Sequence, residues 1–150
     1  MNAEELTLRG DATREREPMP SPKVLAETRS LYNRALQVNP TLPAALMGQS
    51  NVLAGILDLD PHADRDRLLR EYDQMSLRLI AAADREARAW NIRADALQRQ
   101  GRFEGTLEAN AAAQKLDPTR FGTMGQYANL LIDMGRLEEA LAAVDRAFSL

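Results

Sequence analysis

A chain that matches itself at a fixed offset is built from copies of one supersecondary unit, each too small to bury its apolar side alone. Here the offset is 34 residues, the interval from Ala94 to Ala128. At that shift Leu97 falls on Leu131, Gly101 on Gly135, Arg102 on Arg136 and Glu104 on Glu138. Leu107 falls on Leu141, Ala109 on Ala143, Ala113 on Ala147 and Leu116 on Leu150, while Trp90 meets Met124 and Phe103 meets Leu137. Each match has a mechanical reason. Alanines stand where helices approach closely, and Trp90 and Leu97 fill the space between them. The glycines make turns, and Pro118 stops a helix.

Breakers cut the helical apolar pattern at regular places. The first helix is expected over 3–17, ending at Pro18-Met19-Pro20-Ser21-Pro22. Ser21 then caps a second helix, with Pro22 at its first position, which runs to Asn39-Pro40. A third spans about Pro43 to Leu57, and a long fourth follows Asp60-Pro61 to about Ala83. The fifth covers Ala87 to Gln100 and stops at Gly101, a left-handed cap; the sixth runs to Leu116, and the last two meet at Gly135. Abundant Ala, Leu, Arg and Glu suit helix, and aromatic residues are only 5% of the chain. Eight helices in four hairpins in series suggest an all-α solenoid rather than a closed bundle.

Trp90…Ala94…Leu97…Gly101…Phe103…Leu107…Ala113…Asp117-Pro118, followed by Ala128…Leu131…Gly135…Ala140…Ala147, resembles the tetratricopeptide repeat (TPR) family. The resemblance implies a right-handed α-solenoid and a single domain with repeats at about 3–40, 41–86, 87–120 and 121–150. The second repeat is longer than 34 residues. Arg9-Gly10-Asp11, which read alone suggests an adhesion ligand, sits where Arg93-Ala94-Asp95 sits later. Gly10 is therefore expected at a close-packing point inside the first helix. Trp90 is expected to be buried.

Glu5-Leu6-Thr7-Leu8-Arg9-Gly10, the Pro-rich turn, the run from Leu25 to Leu36 and Asn39-Pro40 are similar to a more specific group. They look like the helical repeat region that follows the catalytic domain of bacterial class III adenylate/guanylate cyclases; similar regions follow winged-helix regulators. That likeness implies a regulatory or scaffolding region without cyclase activity of its own.

The residues themselves exclude several classes. A net charge of −3 gives no basic field for nucleic acid or an anionic membrane. With no cysteine there is no disulfide, thiolate nucleophile or Cys-based zinc site. No apolar run approaches a membrane span and no basic-then-apolar leader opens the chain, so a cytoplasmic setting is expected. The sole histidine, His62, lies near Asp60, Asp64 and Asp66, which read as helix-end charges rather than metal ligands. No phosphate-cradling loop or nucleophile elbow appears, so neither a cofactor nor catalysis is expected.

By the resemblance, the first helix of each pair lines a groove that takes a protein or peptide segment. The matching inward places are Thr7, Asp11, Arg14 and Glu15, then Met47 and Asn51. They continue with Arg88, Asn91, Asp95, Gln98 and Arg99, then Gly122, Gly125, Asn129 and Asp133. Their amides and guanidinium groups suit a peptide backbone or a carboxylate, and they equally suit a plain solvated face. The Lys pattern by which some relatives hold chaperone C-termini is missing. Ala147-Phe148-Ser149-Leu150 stands where a further turn and capping helix are expected. The last pair is thus expected to expose Leu141, Val144 and Phe148, either because the natural protein continues or because two copies pair there. The leading reading is an interaction or scaffold module; the alternative is a homo-oligomerisation element with an empty groove.

Overall fold

The computed structural model describes residues 1–119 and 121–149, with backbone alone for 121–124 and 147. Among the described residues it contains eight helices and no strand. They form two compact units, 1–83 and 84–150. Among the described residues no helix is long and apolar enough to cross a membrane.

The first unit holds α1 (Ala3–Arg14), α2 (Pro22–Val38), α3 (Pro43–Leu59) and α4 (Arg65–Ala83). Asn2 opens α1 with a reciprocal cap: its side chain accepts the Glu5 N–H at 2.8 Å, and the Glu5 carboxylate accepts the Asn2 N–H at 3.2 Å. Ser21 caps α2 and Pro22 takes its first turn, as the sequence indicates. The first helix ends three residues short of Glu17. Glu17 precedes Pro18, which disfavours helical backbone there, and its carboxylate instead accepts the Ser21 N–H at 2.8 Å.

Helix α3 packs on both α1 and α2, and α4 packs on α3. The joint between the first three is one side chain. Tyr32 of α2 is fully buried, and its ring lies against both Gly10 of α1 and Gly48 of α3. A Cβ at Gly10 would stand 2.6 Å from Tyr32 Cε1, and one at Gly48 would also overlap the ring. Arg9-Gly10-Asp11 is thus helix interior, with Gly10 buried and Asp11 bonded to the Tyr32 hydroxyl. Buried hydroxyls meet the same requirement for partners: Thr7, Thr28 and Ser50 each donate to the carbonyl four residues back.

The second unit holds α5 (Ala87–Arg99), α6 (Phe103–Leu116), α7 (Phe121–Asp133) and α8 (Leu137–Phe148). Its two hairpins are built alike, residue by residue. Ala94, Leu97 and Ala109 form one buried cluster; Ala128, Leu131 and Ala143, each at the same 34-residue shift, form part of the other. The turns repeat as well. Gly101 and Gly135 have φ of 72° and 74°. Gly101 N–H donates to Gln98 O and Arg102 N–H to Leu97 O; Gly135 and Arg136 do the same to Ile132 and Leu131. Both are six-to-one closures that need a left-handed residue.

Trp90 departs from expectation. It is half-buried at the edge of the Ala94 cluster, and its indole N–H donates to Asp84 O at 2.7 Å. The ring's polar edge is held by a carbonyl rather than enclosed. Met124 and Ala147, matched to Trp90 and Ala113, and Leu150 lie outside the described side chains.

The Tyr32 joint makes a direct prediction. Gly10→Ala or Gly48→Ala should each destabilise the first unit by about 1–3 kcal/mol, because the added methyl must displace a fully buried ring. Gly125→Ala, where an added Cβ meets nothing within 4 Å, should be neutral or stabilising. Urea unfolding followed by circular dichroism checks all three; a Gly10→Ala protein as stable as wild type would contradict the packing described.

Candidate functional site

The groove places from the sequence fall on four helices, α1, α3, α5 and α7, with Glu15 just past the end of α1. In the first unit, Thr7 and Met47 are buried, and Thr7 spends its hydroxyl on Ala3 O at 2.7 Å. Neither reaches a ligand. Asn51 is half-exposed on α3 and stays available. Asp11 and Arg14 are half-buried on α1, and Glu15, which caps its C-terminal end, is exposed.

In the second unit, Arg88, Asn91, Asp95 and Gln98 follow one another on α5 at three- and four-residue steps, and Arg99 lies four residues after Asp95, so all five share one broad helix face. Arg88 is exposed and the other four are half-buried. Arg99 Nε donates to Asp95 Oδ2 at 2.8 Å, so the cation and carboxylate hold each other in place. On α7, Asn129 and Asp133 are both exposed, four residues apart on the same face. Gly125 is exposed; Gly122 lies outside the described side chains. The structure thus gathers five groove residues on α5, two on α7 and Asn51 separately in the first unit.

Asp11 is tied to the core. The Tyr32 hydroxyl donates to its Oδ1, which fixes the carboxylate on its helix. Burial first, then this hydrogen bond and the Asp11 charge, hold the Tyr32 phenol far above its ordinary value of 10.0; Arg14 opposes and Glu15 adds a little. The other acidic group considered above, around His62, has structural work. Asp60 Oδ1 accepts the His62 N–H at 2.9 Å and Asp64 Oδ1 accepts the Arg67 N–H at 3.2 Å, so both carboxylates serve chain turns. Among the described residues no group of three His, Asp or Glu side chains is arranged to hold a metal ion.

Two features escaped sequence reading. Arg29 of α2 pairs with Glu71 of α4, 42 residues away, and Glu71 also forms an ion pair with Arg67 at 3.6 Å. Gln49, a polar residue in the apolar run of α3, is buried and donates to Asn33 Oδ1 at 2.7 Å. Its own Oε1 has no partner among the described residues. The one available signal was a lone Gln within Ala45–Leu57. On the last helix, Leu137, Leu141, Val144 and Phe148 are exposed at alternating four- and three-residue steps, with Phe148 82% exposed.

No family model and no curated relative matches the chain. Solved structures do. A "MamA 41-end" structure from Desulfovibrio magneticus RS-1 superposes with a TM-score of 0.79 at 17% identity, covering 99% of this chain and 75% of that one. A MamA RS-1 double mutant gives 0.77 at 16%, covering 98% and 74%. The first TPR of Spaghetti (RPAP3), bound to the HSP90 peptide SRMEEVD, gives 0.72 at 12%, covering 89% and 96%. At such identities the likeness establishes the fold: the chain is all-α with tetratricopeptide-type hairpins.

The fixed phenol of Tyr32 has a pH signature. The folded group keeps its proton where the unfolded one, near 10, releases it. Its contribution is complete below that value and declines as pH rises above it, by at most about 1.4 kcal/mol per pH unit. Tyr32→Phe should therefore lose less stability than wild type between about pH 9 and about pH 11. Parallel urea titrations across that window measure the difference; parallel declines would mean the phenol titrates freely.

Proposed function

We propose that this chain is a protein–protein interaction or regulatory scaffold module of the tetratricopeptide type. The observation that carries the reading is the α5 face. Five polar side chains from Arg88 to Arg99 share one face of a helix whose other side is fixed by the Ala94–Leu97–Ala109 cluster. A rigid helix presenting amide, guanidinium and carboxylate groups can pair with the N–H and C=O groups of an extended peptide. Asn129 and Asp133 on α7 and Asn51 on α3 extend the same kind of chemistry. The RPAP3 structure, with its bound HSP90 peptide, is a case of a similar fold holding a peptide. In this chain the α5 places carry Arg, Asn, Asp, Gln and Arg in place of a Lys pattern, so a different peptide is the ligand.

A narrower context, next to a bacterial nucleotide cyclase or a transcriptional regulator, is supported by the sequence pattern of Glu5–Gly10, Leu25–Leu36 and Asn39-Pro40 alone. In that setting the module regulates or assembles and does no chemistry itself.

The exposed stripe of Leu137, Leu141, Val144 and Phe148 favours a second reading, self-association through α8. Alternating steps of four and three are those of a helix–helix seam, and an apolar patch of this kind marks contact surfaces.

The two readings separate by substitution. Peptides selected from a displayed random library on the wild-type chain should bind Asn91→Ala/Arg99→Ala at least tenfold more weakly, with helicity unchanged. Equal binding by the double variant would remove the groove reading. Under the self-association reading, sedimentation should show wild-type dimers that Leu141→Glu/Phe148→Glu converts to monomers; a wild-type monomer at high concentration removes it.

A further inference from the structure

A second concave surface lies on the first unit, away from the expected groove. Helices α2 and α4 each pack on α3, and the Arg29–Glu71 ion pair joins them across it. Two cavities meet at Arg29. One, of about 240 Å³, has apolar walls from Leu25, Ile56, Ala63 and Leu68, with Asp60 and Asp64 at its rim. The other, of about 270 Å³, is polar and is lined by Arg29, Asn33, Gln49, Glu71 and Arg78 among others.

Both open on one side of α3. Gln49 and Ile56 are seven residues apart, two turns, and so share a face. Asn51 is two residues from Gln49, about 200° around the helix. The expected groove is therefore on the other side of α3.

The charges say what the polar cavity suits. Arg29 and Arg78 stand there against one carboxylate, Glu71, which Arg67 also engages. Arg78 Nη2 donates to Pro40 O at 2.9 Å and has no carboxylate partner among the described residues. That bond holds the guanidinium in position and leaves its charge unmatched. Asn33 gives its Oδ1 to Gln49 and so presents its NH₂. Arg29, Arg78 and the Asn33 NH₂ bring three donors to a cavity with room for one side chain, Arg78 among them being the cation without a carboxylate, while Gln49 Oε1 stays an acceptor unpartnered among the described residues in the same lining. In the neighbouring cavity Asp60 and Asp64 each spend one oxygen on a backbone N–H and keep their charge beside Arg67, and Leu25, Ile56 and Leu68 form the apolar wall that can receive an aliphatic side chain.

We infer that the α2–α3–α4 valley binds an acidic peptide segment, with a Glu or Asp carboxylate at Arg78 and Asn33 and a nearby aliphatic side chain against Leu25, Ile56 and Leu68. The ligand is recognised by one charge and one apolar anchor. This surface is independent of the α5 face and extends the module to two partners, or two parts of one.

The test is a nuclear magnetic resonance titration of the full chain with three acetylated, amidated peptides. Each carries one Leu and one Glu, separated by one, two or three Ala residues. At least one should shift the Asn33 and Gln49 side-chain amide signals in the millimolar range. Replacing its Glu by Gln, or the protein's Arg78 by Gln, should weaken binding by roughly tenfold, as expected for loss of a charge-assisted hydrogen bond. Asn51→Ala and Asn91→Ala/Arg99→Ala should leave it unchanged. The inference is overturned if none of the three peptides moves those signals, or if Arg78→Gln binds equally well. It is also overturned if acetate alone matches the peptide's affinity, since the apolar anchor would then contribute nothing. Failure here leaves the α5 reading intact, because that reading is tested by different residues.

Discussion

The Tyr32 ring, held between Gly10 and Gly48, is the constraint on which the first unit depends. Three helices meet on one aromatic side chain, and two of them come close enough only because they lack a Cβ there. The geometry serves more than packing. The hydroxyl at the ring's far end reaches Asp11, so the contact that sets helix spacing also orients a carboxylate on α1. The second unit solves the same problem with alanine. Ala94 and Ala128 stand at the equivalent places, and Leu97 and Leu131 fill the remaining space.

Much of the fold was legible because its punctuation is local. Pro22, Pro43, Gly101 and Gly135 act through their own backbone preferences, and they stand where the sequence put the helix ends. The close-packing role of Gly10 followed from the shift that aligns it with Ala94. Its partner did not, because Tyr32 is 22 residues away and nothing local links them. The end of α1 was misplaced for a similar reason: the Glu17 carboxylate chose the Ser21 N–H over helix continuation. Trp90 was expected inside because its place in the repeat fills the space between helices, yet its N–H needs an acceptor, and Asp84 O supplies one at the edge.

The candidate sites divide along the same line. The α5 face was readable because its residues are neighbours on one helix at a fixed period. The valley on the first unit was not. Arg29 and Glu71 are 42 residues apart, and Arg78 finds its carbonyl 38 residues away. Only tertiary structure brings them together. The polar interior of α3 gave a hint, since a buried Gln among apolar residues must find a partner. Thr7 and Met47 show the converse: the repeat pattern assigns them inward, but packing takes both out of reach.

The placement of the chain's single tryptophan has an optical consequence. Its indole is anchored to the first residue of the second unit and packed on that unit's own alanines. Emission excited at the red edge of its absorption band therefore watches one half of the chain. Two of the three tyrosines, Tyr32 and Tyr72, are buried in the other half. The indole thus reports on the second unit from within, while Tyr32 and Tyr72 lie in the first, and no label has to be added to read either.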